Sequence, residues 1–115
     1  MTEQDNKAVL VAIGSSQHAE ITQEHLDELA FLAETAGIKT IRKFVQNLPH
    51  PDNRTFVGKG KISEIKEFVH AEKATNVIFD DDLSPSQLRN LEREFNSPAS
   101  EDYTVRVYDR SLLIL

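Results

Sequence analysis

Apolar and polar positions alternate with a period that changes along the chain. Residues 7–14 (KAVLVAIG) form a continuous apolar run closed by a glycine, the pattern of a strand buried on both faces. After a polar loop at 15–19, Thr22 predicts a helix N-cap, with Ile21 and Leu26 placed to staple it and Glu24 in the first turn. Leu26, Leu29, Ala30 and Ala33 recur at helical spacing, and Gly37 stands where a left-handed C-cap residue belongs, so the helix covers roughly 23–36. Residues 39–46 (KTIRKFVQ), with Ile41 and Val45 framing Arg42 and Lys43, read as a strand with one more exposed face, hence an edge strand. Pro49, Pro51, Asp52 and Asn53 make 47–55 a loop. From Gly58 and Gly60 a second helix leads to about Lys73, with Ile62, Ile65 and Val69 on one face. Residues 76–80 (NVIFD) give a buried strand. Ser84-Pro85-Ser86-Gln87 opens a third helix with a capping serine, proline at the first position and glutamine at the third, and Leu88, Leu91 and Phe95 carry it to about 95. A polar loop at 96–102 precedes a last strand at 104–108 (TVRVY).

Strict β-α-β-α-β-α-β alternation predicts an α/β domain: a four-stranded, mainly parallel sheet of order 2-1-3-4 with helices packed on its faces. Residues 1–6 are expected to be a disordered start and 7–110 the domain. The apolar run 111–115 is expected to begin an element that continues as a helical linker. Ligands of such sheets bind beyond the carboxyl ends of the strands. Gly14-Ser15-Ser16, the loop leading to Gly58, and Asp80-Asp81-Asp82 all follow strands and therefore fall at that end.

Charge changes the picture at one place. The chain of 115 residues carries a net −6, too acidic for a general nucleic-acid coat protein. Yet residues 39–61 hold six bases (Lys39, Arg42, Lys43, Arg54, Lys59, Lys61) against the single acid Asp52. At physiological salt the Debye length is about 8 Å, so a compact basic strip acts while distant acids are screened. Gly58-Lys59-Gly60-Lys61 can lay backbone N–H groups and ammonium heads along a row of phosphates, with the glycines permitting close approach or simply a tight turn. With no cysteine, disulfides and thiolate sites are excluded, and the composition fits a cytoplasmic setting. The polar N-terminus is no signal peptide, and no apolar run is long enough to span a bilayer.

The stretch is not a nucleotide P-loop. Counting back from Gly60-Lys61, the required glycine position holds Thr55, and Ile62 follows where a hydroxyl should bind magnesium. Nor is it a dinucleotide fingerprint, because Ser63 takes the third glycine's place. Asp80, Asp81 and Asp82 suit either a magnesium ion or the acidic approach to a helix N-terminus. A phosphoacceptor pocket would need acids from a second strand end and a late lysine, and no lysine follows Lys73. His18, His25, His50 and His70 lack ligand spacing, and no nucleophile motif is present. The residues read as a binding module rather than an enzyme, with no metal ligands assigned.

One ordered series covers nearly the whole chain: Leu29, Thr35-Ala36-Gly37, Gln46, Pro51, Thr55-Phe56-Val57-Gly58-Lys59-Gly60-Lys61, Glu64, Phe79-Asp80-Asp81-Asp82-Leu83-Ser84-Pro85, Gln87, Arg89-Asn90-Leu91-Glu92, Asp109-Arg110 and Leu113-Ile114-Leu115. In this order it resembles the N-terminal domain of HflX-type GTPases. The segment 96–103 departs from the pattern in being longer and more polar. The resemblance implies a small α/β domain ahead of a helical hairpin and a separate GTPase domain, which would carry the GTP and magnesium. This chain itself would hold no cofactor and catalyse nothing. It further implies association with the large ribosomal subunit. Arg54, Lys59 and Lys61, with Arg42 and Lys43, would then contact ribosomal RNA phosphates, and Gly58 and Gly60 would admit the backbone. The alternative is a magnesium-dependent ATP-binding regulatory domain using Asp80, Asp81 and Asp82. A third reading is a domain that only positions its neighbours.

Overall fold

The apolar run Lys7–Gly14 forms strand β1, with Ala8, Val9, Leu10, Val11 and Ala12 all buried. In the computed structural model, which describes residues 6–14, 16–97 and 103–113, this strand is central. A 3-10 turn, Ser16–His18, leads into α1 (Ala19–Thr35). The chain continues through β2 (Lys39–Asn47), α2 (Lys59–Glu72), β3 (Asn76–Phe79), α3 (Pro85–Phe95), β4 (Arg106–Tyr108) and the short α4 (Arg110–Leu113). The sheet order is β2-β1-β3-β4 and every pairing is parallel, as the alternating pattern predicts.

Because side chains of a strand alternate between faces, β1 feeds two cores. Val9 and Val11 meet Ile62, Ile65 and Val69 of α2 and Leu91 and Phe95 of α3. Ala8, Leu10 and Ala12 meet Leu26, Leu29 and Ala33 of α1. The β1–β2 ladder slips by one residue, pairing Ala8 with Thr40 and Val9 with Arg42, which leaves Ile41 as a bulge. Past the bulge Phe44, not Val45, is the buried residue, and Val45 is 39% exposed.

Helix ends follow their caps with one exception. Gly37 has φ 84, its N–H donates to Glu34 O, and the Ile38 N–H donates to Ala33 O; together these close α1 in a Schellman motif. Ser84 and Gln87 form a reciprocal capping box with Pro85 in the first turn of α3. The exception is Thr22, which lies inside α1 rather than at its cap, and its hydroxyl donates to His18 O. The end of β1 runs against this side chain: a Cβ on Gly14 would lie 2.7 Å from Thr22 Oγ1. Ile21 is 49% exposed and forms no staple, so the expected loop at 15–19 is largely helical instead. Strand β4 starts two residues later than its pattern suggests. The Asn96 amide occupies the backbone of Val105, accepting from its N–H and donating to its carbonyl, so that residue pairs with a side chain instead of a neighbouring strand. Of the polar loop 96–102, residues 98–102 lie outside the described residues, as do residues 1–5 and 114–115.

The link from β2 to α2 is held in an unusual way. Asp52 and Phe56 exchange both backbone hydrogen bonds across a tight loop, and Asp52 Oδ1 accepts from the N–H groups of Arg54 and Thr55. The Val57 N–H then closes on Thr55 O, with Phe56 between them at φ 71. This is a γ-turn centred on a left-handed residue, and for a bulky side chain it costs about 1–3 kcal/mol. The Phe56 ring offsets that cost. It is 2% exposed and meets Phe79 edge to face, centroids 5.4 Å apart. Burial of such a ring contributes about 1.5–3 kcal/mol and the aromatic pair about 0.5–1.5 more.

Substitutions at Phe56 should separate the two terms. Phe56→Ala keeps the strain and loses the ring, and should lower unfolding free energy by about 3–5 kcal/mol in urea titrations. Phe56→Gly loses the ring but relieves the strain. It should be less destabilising than alanine by about 1 kcal/mol, the reverse of their order in ordinary backbone. An alanine variant as stable as the glycine variant would show that the turn stores no strain.

Candidate nucleic-acid interface

The predicted basic strip does not stay together when folded. Arg42 and Lys43 are neighbours in β2 and point to opposite faces of the sheet. Lys43 pairs with Asp27 of α1, Nζ to Oδ1 2.7 Å. That hydrogen bond, seconded by one from Gln23, lowers the Asp27 carboxyl below its ordinary value. Arg42 lies on the α2 side, its guanidinium 4.7 Å from the Phe44 ring centroid and 5.1 Å from that of Phe68. Lys61 is bound to Glu64 on the same helix at 3.0 Å, and only a fifth of its side chain is exposed.

Lys39 is exposed at the opposite, amino end of β2, which leaves Arg54 and Lys59. Both are exposed and line one hollow of about 280 Å³ together with Thr55, Ile62, Ser63 and Glu94. Among the described residues neither forms an ion pair. The hollow opens beside the first turn of α2, where Gly58 is the N-cap and no side chain caps the helix. No acid lies in that first turn, so no carboxylate of the helix itself meets its free backbone N–H groups or the positive end of its dipole. The glycines are not required by a tight turn. Gly58 has φ −70 and ψ 164, conformations open to any residue, and a Cβ on Gly60 would touch nothing. The left-handed position of this loop belongs to Phe56. What Gly58 supplies is its N–H, which donates to Gln46 Oε1 at 2.9 Å.

Four polar residues that the motif reading passed over fix this surface. Asp52 builds the turn, and the N–H groups of Thr55 and then Arg54 hold its carboxyl below the usual range. Gln87 and Asn90 of α3 donate to the carbonyls of Asp52 and Arg54, at 2.8 and 3.0 Å. Gln46 ties the start of α2 back to β2. The aspartate had a readable signal, since Asp followed two or three residues later by free N–H groups is an Asx turn. The amides had none beyond their place in the family-like series.

The acidic triplet disperses. Asp80 is turned inward, its side chain 6% exposed, and faces Arg110 at 3.8 Å. Asp81 Oδ1 accepts from the Asp82 N–H. Asp109 Oδ2 accepts from the Leu83 N–H, holding the end of β4 against the approach to α3. Among the described residues no three His, Asp or Glu side chains converge in a way that could hold a metal ion. No helix among them is long and apolar enough to cross a membrane.

Residues 23–115 match the family model described as GTP-binding GTPase N-terminal. The chain belongs to this family. It is 37% identical to the GTPase HflX of Flavobacterium psychrophilum, over 95% of this chain and 25% of that protein. It is 39% identical to the GTPase HflX of Escherichia coli, over 95% of this chain and 23% of that protein. The chain thus spans about a quarter of the curated relatives it matches. A crystal structure of an SsGBP variant superposes with a TM-score of 0.62 at 20% identity, over 93% of this chain and 30% of that one, and shares its fold. Gln46, Phe56, Gly58, Gln87 and Asn90 of the ordered series all build the β2–α2 loop.

Burial raises the Asp80 carboxyl above its ordinary value, outweighing the Arg110 charge that opposes it. A carboxyl raised by folding contributes stability at low pH that is lost as pH rises through its folded value. At pH 7 the ionised group is therefore a net cost. Asp80→Asn should leave the melting temperature at pH 7 unchanged or higher, and the difference from wild type should shrink as pH falls through the carboxylate range. A variant less stable at pH 7 would show that the Arg110 pair outweighs burial.

Proposed function

We propose that this domain is the RNA-contacting part of an HflX-type GTPase and docks it on the large ribosomal subunit. In this reading the hollow at the start of α2 takes backbone phosphates. Arg54 and Lys59 supply the charge, and the uncapped N–H groups behind Gly58 supply directed donors. The observation that carries the reading is the meeting of two cations, neither ion-paired among the described residues, with a helix start that no side chain caps. Lys61 and Lys43 have a lesser part, because each would first have to leave a carboxylate. Glu94, on the rim of the hollow, limits how many phosphates fit beside it. GTP and magnesium would belong to the GTPase domain of the longer relatives, and hydrolysis would take place there.

Sedimentation of the chain with isolated large ribosomal subunits across a salt series tests this reading. Removing a phosphate contact should reduce the slope of log affinity against log salt by roughly 0.7–0.9 per contact. Arg54→Ala with Lys59→Ala should therefore bind more weakly and with a visibly shallower slope, while Lys43→Ala should follow wild type. Superimposable curves for the double variant would place the contact elsewhere.

A further inference from the structure

Arg42 stands apart from the other cations. Its guanidinium rests in the corner between Phe44 and Phe68, whose rings meet edge to face at 75° with centroids 5.9 Å apart. Phe44 is 3% exposed and fixed in the core, Phe68 is half-buried on α2, and Arg42 itself is exposed. Among the described residues Arg42 makes neither an ion pair nor a hydrogen bond. A guanidinium held in this way has lost much of the reach a lysine uses to follow a phosphate. It presents a preoriented cationic plane flanked by an aromatic ring at the surface. Such a platform suits a nucleobase, which stacks on arginine planes and aromatic rings once it is unpaired.

The platform and the phosphate hollow flank α2 on opposite sides: at helical spacing Phe68 lies half a turn round from Lys59, and the hollow is closed by Glu94 of α3. Arg42, Phe44 and Gln46 share the α2 face of β2, and Gln46 holds the N–H of Gly58 at the start of α2. Four residues of strand span about 13 Å, which brings a single strand from Arg42 as far as the start of α2. We infer that Arg42 and Phe68 form a stacking site for an unpaired base of single-stranded RNA, whose following phosphates cross the start of α2 to reach Arg54 and Lys59. This rests on the RNA-contact reading above and narrows it: the ligand at Arg42 is a base, and duplex RNA, with its bases stacked inside, does not satisfy it.

The test uses the intact chain and a single-stranded RNA of about eight nucleotides, within the usual site size of such binders, carrying 2-aminopurine at successive positions. The same RNA annealed to its complement is the control. Wild type should prefer the single strand and quench 2-aminopurine at one or two positions. Arg42→Lys keeps the charge and should keep the salt slope. It should lose the quenching and roughly tenfold in single-strand affinity, the lower part of the range for one stacked base. Phe68→Leu, which changes no charge, should reduce the quenching as well. Lys59→Ala should do the opposite, flattening the salt slope and sparing the quenching. If Arg42→Lys and Phe68→Leu both quench as wild type does, or if duplex binds as well as single strand, Arg42 is no stacking site, although the phosphate reading stands through Lys59. If wild type binds neither RNA, both readings fall.

Discussion

The insertion of the Phe56 ring against Phe79 is the contact on which the rest of this surface depends. It fixes a left-handed residue at the one place where the chain must turn from the edge strand into α2. Without a buried ring, a non-glycine residue there would relax toward ordinary backbone, and the Asp52–Phe56 pairing would open. The carbonyls of Asp52 and Arg54 would then leave Gln87 and Asn90, and α2 would begin in a loop with no defined direction. The strain and the anchor sit on the same residue, and the estimates above favour the anchor. A glycine at position 56 would remove the strain and the clamp together.

The charge pattern shows why a linear count misleads. Between Lys39 and Lys61 the chain looks uniformly basic, but folding distributes those charges over two faces of a sheet and one helix end. Lys43 faces a carboxylate of the acid-rich α1, Lys61 faces one on its own helix, and Arg42 lies on aromatic rings. Surface pairs of this kind contribute little stability. Their consequence is selective: of the cations at the β2–α2 junction, Arg54 and Lys59 keep no ionic partner among the described residues, and both line the hollow beside the uncapped helix start.

Period and punctuation made most of the fold legible. The buried run of β1, the faces of α2 and α3, the Ser84–Gln87 box and the glycine end of α1 are local signals, and local physics decides them. Errors arose where a distant segment intervened. Thr22 is a good cap by type, but the end of β1 runs against it at Gly14. Val105 has strand character, yet the Asn96 amide claims its backbone. Two glycines beside two lysines suggest a loop shaped for close approach, whereas the conformation that needs a glycine is taken by a phenylalanine. The clamp of Gln46, Gln87 and Asn90 joins residues 12 and about 36 positions apart, a relation that no period reveals.

The acidic surplus bears on the proposed RNA contact as well. Asp81 and Asp82 are exposed after β3, at the same carboxyl end of the sheet as the hollow after β2. With a Debye length of about 8 Å, they do not cancel a phosphate contact made directly on Arg54 and Lys59. They do repel a polyanion approaching over the middle of that end. Like-charge repulsion of this kind removes wrong orientations more than it lowers the affinity of the right one. In the proposed complex a strand of RNA would then enter from the β2 edge, the side on which Arg42 and Phe68 lie. The net charge of −6 would then help a small basic site to select the direction from which a polyanion approaches.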